Sequence, residues 1–401
     1  MRLFGSNVAL SDILHAHIGD YRKKYDMPPE HFKVVYDILS CRTPFLGGHI
    51  EQCDYCGEER EVFNSCRNRH CPTCQVMTKE RWLDARRREI LPVPYFHDVF
   101  TLPHELNPVI LCNKKIMLDM LFKSVSETLL VFGKNELGGQ LGLICILHTW
   151  DQQLNDHFHL HCLIPGGAIS KDRKKWVPVK NDYLFSADAM KIVFRGKFMD
   201  YFKQAYDEGK LIFPGNTKKF GHRQGFNRLK EELWSKDWVI HTKDPLENPE
   251  YVLDYLARYT HRVAISNNRI IALENGQVTF TYKNRDKQTT ETLTLDAVEF
   301  IRRFLLHVLP KRFVRIRTYG FMGNRNRTSN LKKCRELLGL STDLPEKVEQ
   351  SIRELMLRLT GKDIDQCSVC GKGKLNKKRD IPEKTGSDPF EVIWPVECRR
   401  N

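Results

Sequence analysis

From Leu154 to Pro165 the chain reads Leu-Asn-Asp-His-Phe-His-Leu-His-Cys-Leu-Ile-Pro, with His157, His159 and His161 alternating with Phe158, Leu160, Cys162 and Ile164. Successive side chains of a β-strand point to opposite faces, so strict alternation describes a strand with an apolar back and a row of imidazoles in front. A helix would scatter the same imidazoles around its axis. The segment therefore demands a sheet with a packed layer behind it. Neutral imidazoles two residues apart on one face can converge on a single divalent ion. The same row is also compatible with a merely polar strand face, and the choice depends on the rest of the chain.

The chain has 401 residues, room for two or three domains and a substantial core. Hydrophobic residues at 41% and aromatics at 10% fit a packed globular protein. The net charge of +14 is less ordinary, and it favours a polyanionic partner because neutralising phosphates releases condensed counterions. No apolar run reaches the ~18 residues of a membrane span. The start, Met1-Arg-Leu-Phe-Gly-Ser-Asn7, lacks the apolar centre of a signal peptide. A cytoplasmic protein is expected, and in a reducing compartment its thirteen cysteines point to metal rather than disulfides.

Residues 8–40 have helical periodicity with a break at Pro28-Pro29. A cysteine cluster follows from Cys41 to Cys74. Gln75–Ile90 then carries Lys79, Arg81, Arg86, Arg87 and Arg88 on a helical run, either a solvated basic face or a contact for a DNA backbone. After Pro92 and Pro94 the pattern predicts a strand over Tyr95–Leu102, a helix over Asn107–Phe132 and an apolar strand over Leu141–Trp150. The short connection Asp151–Asp156 predicts that the histidine strand returns antiparallel to that strand. A helix is expected over Ala187–Tyr206 and a strand over Trp238–Thr242. Asn248-Pro249 is a helix start, with Asn as the cap and Pro at the first helical position. Alternation predicts strands over Val263–Leu273, Val278–Tyr282 and Thr289–Leu295, then a helix over Asp296–Val308 and a strand over Val314–Tyr319.

Cys53-Asp-Tyr-Cys56 and Cys71-Pro-Thr-Cys74 have the spacing of two zinc knuckles, and together they predict a closed tetrahedral zinc site. Cys41, His49, Cys66 and His70 supply ligands for a second zinc, or are buried thiols and surface histidines. Cys367-Ser-Val-Cys370 is half of a further knuckle with Cys398 as its nearby partner. By itself a half-site is weak evidence, and free, inert thiols are the expected reading.

Tyr251, Tyr255 and Tyr259 recur one turn apart on the helix after Pro249. Such a stripe is ordinarily core, yet Leu253 and Leu256 could serve as the core side and leave the phenols facing the sheet. A phenolate can attack a DNA phosphorus when a Lewis-acid metal polarises the phosphate. Two neighbouring tyrosines would permit two successive strand transfers.

With these elements in view, the chain resembles the rolling-circle transposases of the insertion sequence 91 family, two-tyrosine members of the HUH nuclease superfamily. The resemblance rests on Cys66-Arg-Asn-Arg-His-Cys-Pro-Thr-Cys-Gln75, Phe100-Thr-Leu-Pro103, His148-Thr-Trp150, His159-Leu-His-Cys-Leu-Ile-Pro-Gly-Gly167 and Tyr255-Leu-Ala-Arg-Tyr-Thr-His-Arg-Val-Ala-Ile-Ser-Asn267. These cover roughly residues 40–270.

The resemblance implies an α+β fold: an antiparallel sheet with helices on one face, behind N-terminal helices and a zinc ribbon. It implies His159 and His161 as ligands of a catalytic Mg2+ or Mn2+, structural Zn2+, and Tyr255 and Tyr259 as nucleophiles. Gln152 stands where related replication initiators place a third, carboxylate ligand, and His148 and His157 compete for that role. Tyr251 leaves open whether 251/255 or 255/259 is the working pair. Arg67, Arg69, Arg81, Arg258 and Arg262 are candidate DNA contacts. The implied protein is a nucleoid-associated transposase acting on single-stranded DNA at element ends. The expected organisation is a helical and zinc-binding domain over 1–90, a catalytic domain over 91–265, a β-rich extension over 266–330 and a basic, partly disordered region over 331–401. A rolling-circle initiator or relaxase would use the same site. A non-catalytic zinc-bearing DNA-binding regulator would retain only the zinc and the charge.

Overall fold

A computed structural model describes residues 8–180, 183–260, 262–284, 287–343 and 350–383. The chain forms two compact units, each discontinuous in sequence: residues 79–262 with 309–346, and residues 1–78 with 263–308 and 347–401. The four consecutive segments expected from the sequence do not follow these units, since the expected extension is divided after residue 308.

The first unit is built on β1 (Tyr95–Thr101), β2 (Gly142–Trp150), β3 (Asp156–Pro165), β4 (Val239–Leu246) and β5 (Ile316–Gly320). They make one antiparallel sheet in the order β5-β2-β3-β1-β4, with the histidine strand β3 at its centre. The register sets His159 opposite His148 of β2 and Thr101 of β1, and His161 opposite Ile146 and Val99.

Alternation along β2 and β3 separates two layers. Phe158, Leu160, Cys162 and Ile164 join Leu143, Cys145 and Leu147 in a core with the helices α1 (Lys114–Glu136) and α2 (Ala187–Asp207). Each fully buried Leu or Phe stabilises this layer by about 1.5–3 kcal/mol, which fixes the histidine row on the other face. On that face lies α3 (Pro249–Tyr259), packing Val252, Tyr255 and Leu256 against Ile144, Ile146 and Leu163.

The helix expected over Asn107–Phe132 is interrupted at Asn113, giving a short helix Asn107–Cys112 followed by α1. Asn113 leaves helical geometry at φ −128°, ψ 34°. Its amide donates to the carbonyls of Val109 and Ile212 and its oxygen accepts from the Ile212 N–H. These bonds compensate the break.

In the second unit, strand Gly48–Cys53 pairs antiparallel with Glu59–Phe63 on one side and Leu375–Ile381 on the other. A meander of Ile270–Glu274, Gln277–Asn284 and Thr289–Asp296 leads into helix Ala297–Leu306. That helix packs against Leu10–Lys24, whose first N–H donates to Asn267 Oδ1 at 3.1 Å. Val263–Asn267, expected within a strand, is instead a connection that precedes the meander.

The region expected to be partly disordered takes in most of helix Arg327–Leu337, all of helix Ile352–Thr360 and strand Leu375–Ile381. The second of these helices opens with a capping box between Ser351 and Glu354 and closes at Gly361 with φ +68°, start and stop signals visible in the sequence. Among the described residues no helix is long and apolar enough to cross a membrane.

Candidate active site and metal centres

His148, His159 and His161 bring their ring nitrogens within 4.8 Å of one another on the α3 side of the sheet. Hydrogen bonds define which nitrogen of each ring is available. His159 Nδ1 donates to the His157 carbonyl at 2.9 Å, which leaves Nε2 as the lone-pair donor. His148 Nε2 donates to the Tyr259 carbonyl at 2.9 Å, which leaves Nδ1. His161 Nδ1 meets His97 Nε2 at 3.0 Å, and its Nε2 lies 3.1 Å from His159 Nε2.

All three rings are buried. Burial depresses the basicity of His148 to about 3 and that of His161 well below the usual histidine range. With His161 protonated at Nδ1, the Nε2 lone pairs of His159 and His161 face each other, and a cation between them would relieve their repulsion. Nitrogens bound at ~2.1 Å to one ion can be 3.1 Å apart, so the donor set fits a divalent metal. Each ring's second nitrogen is anchored, as is usual for metal-bound histidine.

The expected ligands His159 and His161 are thus brought together, and His148 joins them across the β2–β3 pairing. His157 is exposed and contributes its carbonyl rather than its ring. Gln152 lies half-buried in the turn between β2 and β3. His97, which the sequence reading did not single out, contacts both the histidine cluster and the tyrosines.

The three tyrosines do not share a face. Steps of four residues advance about 40° around a helix of 3.6 residues per turn. Tyr251 therefore rotates out to 61% exposure, while Tyr255 is 8% exposed. Val252, Tyr255, Leu256 and Tyr259 form the sheet-facing stripe, so the expectation that Leu256 lies on a side opposite the phenols is corrected.

The Tyr255 and Tyr259 rings are 4.5 Å apart between centroids, with Tyr259 4.2 Å from His161 and Tyr255 4.3 Å from His97. Burial raises the Tyr255 phenol well above its ordinary range. Its hydroxyl and His97 Nδ1 are both buried without hydrogen-bond partners among the described residues. Two orphaned polar atoms on touching rings mark a place that a polar group would satisfy.

Positive charge reaches the same site. The Arg262 cation is among the causes depressing both His148 and His161, after burial, and the Arg262 carbonyl accepts from Arg315 Nη1 at 2.9 Å. Among the other expected DNA contacts, Arg67 and Arg81 are exposed and Arg69 is half-buried. The Arg258 side chain lies outside the described residues.

The cysteines pair differently from the expectation. Cys41, Cys66, Cys71 and Cys74 form one cluster, with Sγ separations of 3.5 Å for Cys41–Cys74, 3.6 Å for Cys66–Cys74 and 3.7 Å for Cys41–Cys71. Cys53 and Cys56 instead meet Cys367 and Cys370. The two N-terminal knuckles are not partners because strand Gly48–Cys53 carries the first toward the C-terminal strand, while Cys71–Cys74 begins helix Pro72–Arg87 beside Cys41. Neither cluster includes His49, whose Nε2 lies 3.2 Å from Glu51 Oε1, or His70, which is buried. Cys398 lies outside the described residues.

A family model described as "Putative transposase" matches residues 142–330, and one described as "Transposase zinc-binding domain" matches residues 13–102. The chain is similar to "Putative transposase y4qJ" of Sinorhizobium fredii (strain NBRC 101917 / NGR234), 41% identical over 378 residues, covering 92% of this chain and 94% of that one. It is also similar to the "Transposase for insertion sequence element IS801" of Pseudomonas savastanoi pv. phaseolicola, 27% identical over 329 residues, covering 78% of this chain and 75% of that one. No solved structure matches the chain.

Proposed function

The chain belongs to the insertion sequence 91 family of transposases, and from that premise we propose that it nicks and rejoins single-stranded DNA through a covalent 5′-phosphotyrosine, with Tyr255 and Tyr259 as nucleophiles. The observation that carries this reading is the contact of the two phenol rings with each other and with the buried histidines, Tyr259 against His161 and Tyr255 against His97.

In the nicking step a tyrosine oxygen bonds to phosphorus and the bond from phosphorus to the 3′-oxygen breaks. The tyrosine proton leaves to solvent and the departing oxygen gains one, ending as a free 3′-hydroxyl. One phosphodiester replaces another, so a later 3′-hydroxyl can reverse the exchange and join strands. A second tyrosine 4.5 Å away permits a second exchange while the first strand is still held.

His148, His159 and His161 would hold the metal, and a divalent ion such as Mg2+ or Mn2+ supplies Lewis-acid polarisation of the scissile phosphate when bound. The chain itself contributes neutral ring nitrogens, positioned phenols and the Arg262 cation near the phosphate path. Excluding bulk water around these groups strengthens each electrostatic contact.

The test is Mg2+-dependent cleavage of single-stranded oligonucleotides carrying the element ends. His159→Ala with His161→Ala should abolish nicking and leave DNA binding largely intact. Undiminished cleavage by this double variant would overturn the assignment.

A further inference from the structure

The match to the zinc-binding domain ends at residue 102, and Cys367-Ser-Val-Cys370 lies outside it. We propose that Cys53, Cys56, Cys367 and Cys370 hold a zinc ion of their own, in a ribbon assembled from two distant parts of the chain. The zinc-binding unit is then complete only when the C-terminal segment is docked. This inference is independent of the nicking chemistry.

The sulfur geometry is that of a tetrathiolate site. Cys53 Sγ lies 3.7 Å from Cys370 Sγ, Cys56 Sγ lies 3.8 Å from Cys367 Sγ, and all four fall within 4.8 Å of one another. A tetrahedron with Zn–S bonds of ~2.3 Å has edges of about 3.8 Å. A disulfide would need about 2.05 Å.

The two knuckles also repeat one turn. Each has the sequence Cys-x-x-Cys-Gly. In the first, the Gly57 N–H donates to the Cys53 carbonyl at 3.1 Å; in the second, Gly371 donates to the Cys367 carbonyl at 2.9 Å. Both glycines have positive φ, +74° and +67°. Backbone N–H groups point at sulfur in both: Tyr55 and Cys56 at Cys53 Sγ, and Gly373 at Cys370 Sγ. Such donors stabilise thiolates, the form that binds metal.

The knuckles are built to meet. Asp54 donates its N–H to the Lys374 carbonyl at 3.0 Å, and its Oδ1 accepts from the Lys374 N–H at 2.8 Å. A Cβ on Gly373 would come within 2.4 Å of Cys53 Sγ, so the approach requires glycine there. Leu375 packs on Cys53 and Cys367, and the strand it begins continues along Gly48–Cys53.

All four coordination positions are thiolates, so the ion has a structural role. Cys56 and Cys367 are 311 residues apart, and joining them closes a loop that the unfolded chain would otherwise leave open. Without the C-terminal knuckle, Cys53 and Cys56 are half a site.

The experiment measures metal in the full-length protein. Wild type should hold two zinc ions per chain by elemental analysis. Cys367→Ser with Cys370→Ser should lower this to one, as should Cys53→Ser with Cys56→Ser. Combining all four changes should still leave one, because both pairs serve a single ion. Replacing zinc by Co2+ in unmodified protein gives a readout that does not depend on variants folding: thiolate-to-cobalt charge-transfer intensity should equal that of two tetrathiolate sites per chain. A single zinc or a single cobalt tetrathiolate in wild type would overturn the proposal. So would unchanged zinc in the Cys367/Cys370 variant.

Discussion

His97 Nε2 lies 3.0 Å from His161 Nδ1. For His161 to present a lone pair from Nε2, its Nδ1 must carry the proton and donate it to His97, so a His97 that accepts at Nε2 would hold His161 in the tautomer that can bind metal. The two rings stack at 5.2 Å between centroids, and the Tyr255 ring lies 4.3 Å from that of His97. On the proposed assignment of His161 as ligand and Tyr255 as nucleophile, His97 is a positioning residue.

His97→Ala should therefore weaken divalent metal binding by about 10–100-fold, the usual effect of losing an outer-shell partner. His97→Gln, which can still accept from His161 Nδ1, should recover part of the loss. Titration of the purified protein with Mn2+ by calorimetry measures both. Equal Mn2+ affinity in wild type and the Ala variant would remove His97 from the site.

The tyrosines differ in access, and that predicts their order. Tyr259 is half-buried, whereas the hydroxyl of Tyr255 is enclosed and its proton is held tightly by burial. The first adduct with a labelled oligonucleotide should therefore map to Tyr259, and Tyr259→Phe should reduce it by at least ~10-fold, about 1.4 kcal/mol. Tyr255→Phe should leave the first adduct but block the second transfer. Because the Tyr255 hydroxyl has no partner among the described residues, removing it should not lower the thermal midpoint. Peptide mapping that places the label on Tyr251, 61% exposed, would move the working pair by a turn.

How much of this could be read in advance depended on range. The alternation of His157 to Ile164 is local, and it located both faces of β3 because a one-residue slip would expose Phe158, Leu160, Cys162 and Ile164. The spacing of Tyr255 and Tyr259 is likewise local. His148 enters through strand pairing: the short Asp151–Asp156 connection implied an antiparallel return, but a register shift between His148 and Trp150, which nothing local announced, is what sets His148 opposite His159. His97 arrives on a strand distant in sequence, so no local signal announced it. The cysteine pairing was the clearest miss. Spacing favoured Cys53–Cys56 with Cys71–Cys74, while the visible clue was the shared Cys-x-x-Cys-Gly of residues 53–57 and 367–371.

Arg262 and Arg315 should contribute to phosphate binding. Each Arg→Gln variant should weaken binding to single-stranded DNA and flatten the dependence of log affinity on log salt by about 0.7, one phosphate contact's share. Fluorescence anisotropy over a salt series measures the slope. A slope unchanged in both variants would place the phosphate path elsewhere.

Asp98 stands on β1 between Phe96 and Phe100, on the core side of the sheet, and is fully buried. Burial pushes the carboxyl up to about 7 against the weaker, lowering pull of the neighbouring Thr242 hydroxyl. In the unfolded chain an aspartate titrates near ~3.9. Between these values the unfolded chain has released the proton while the native chain retains it. The stability associated with the protonated carboxyl is thus complete below ~4 and is lost as pH rises through about 7. Asp98→Asn abolishes the titration while keeping the shape. The thermal midpoint of the variant relative to wild type should therefore rise from pH 4 to pH 8, by an amount corresponding to a few kcal/mol, roughly the linkage expected for a shift of this size. Parallel midpoint curves across that range would show that Asp98 is ionised and paired in the native protein, and the buried neutral carboxyl would have to be abandoned.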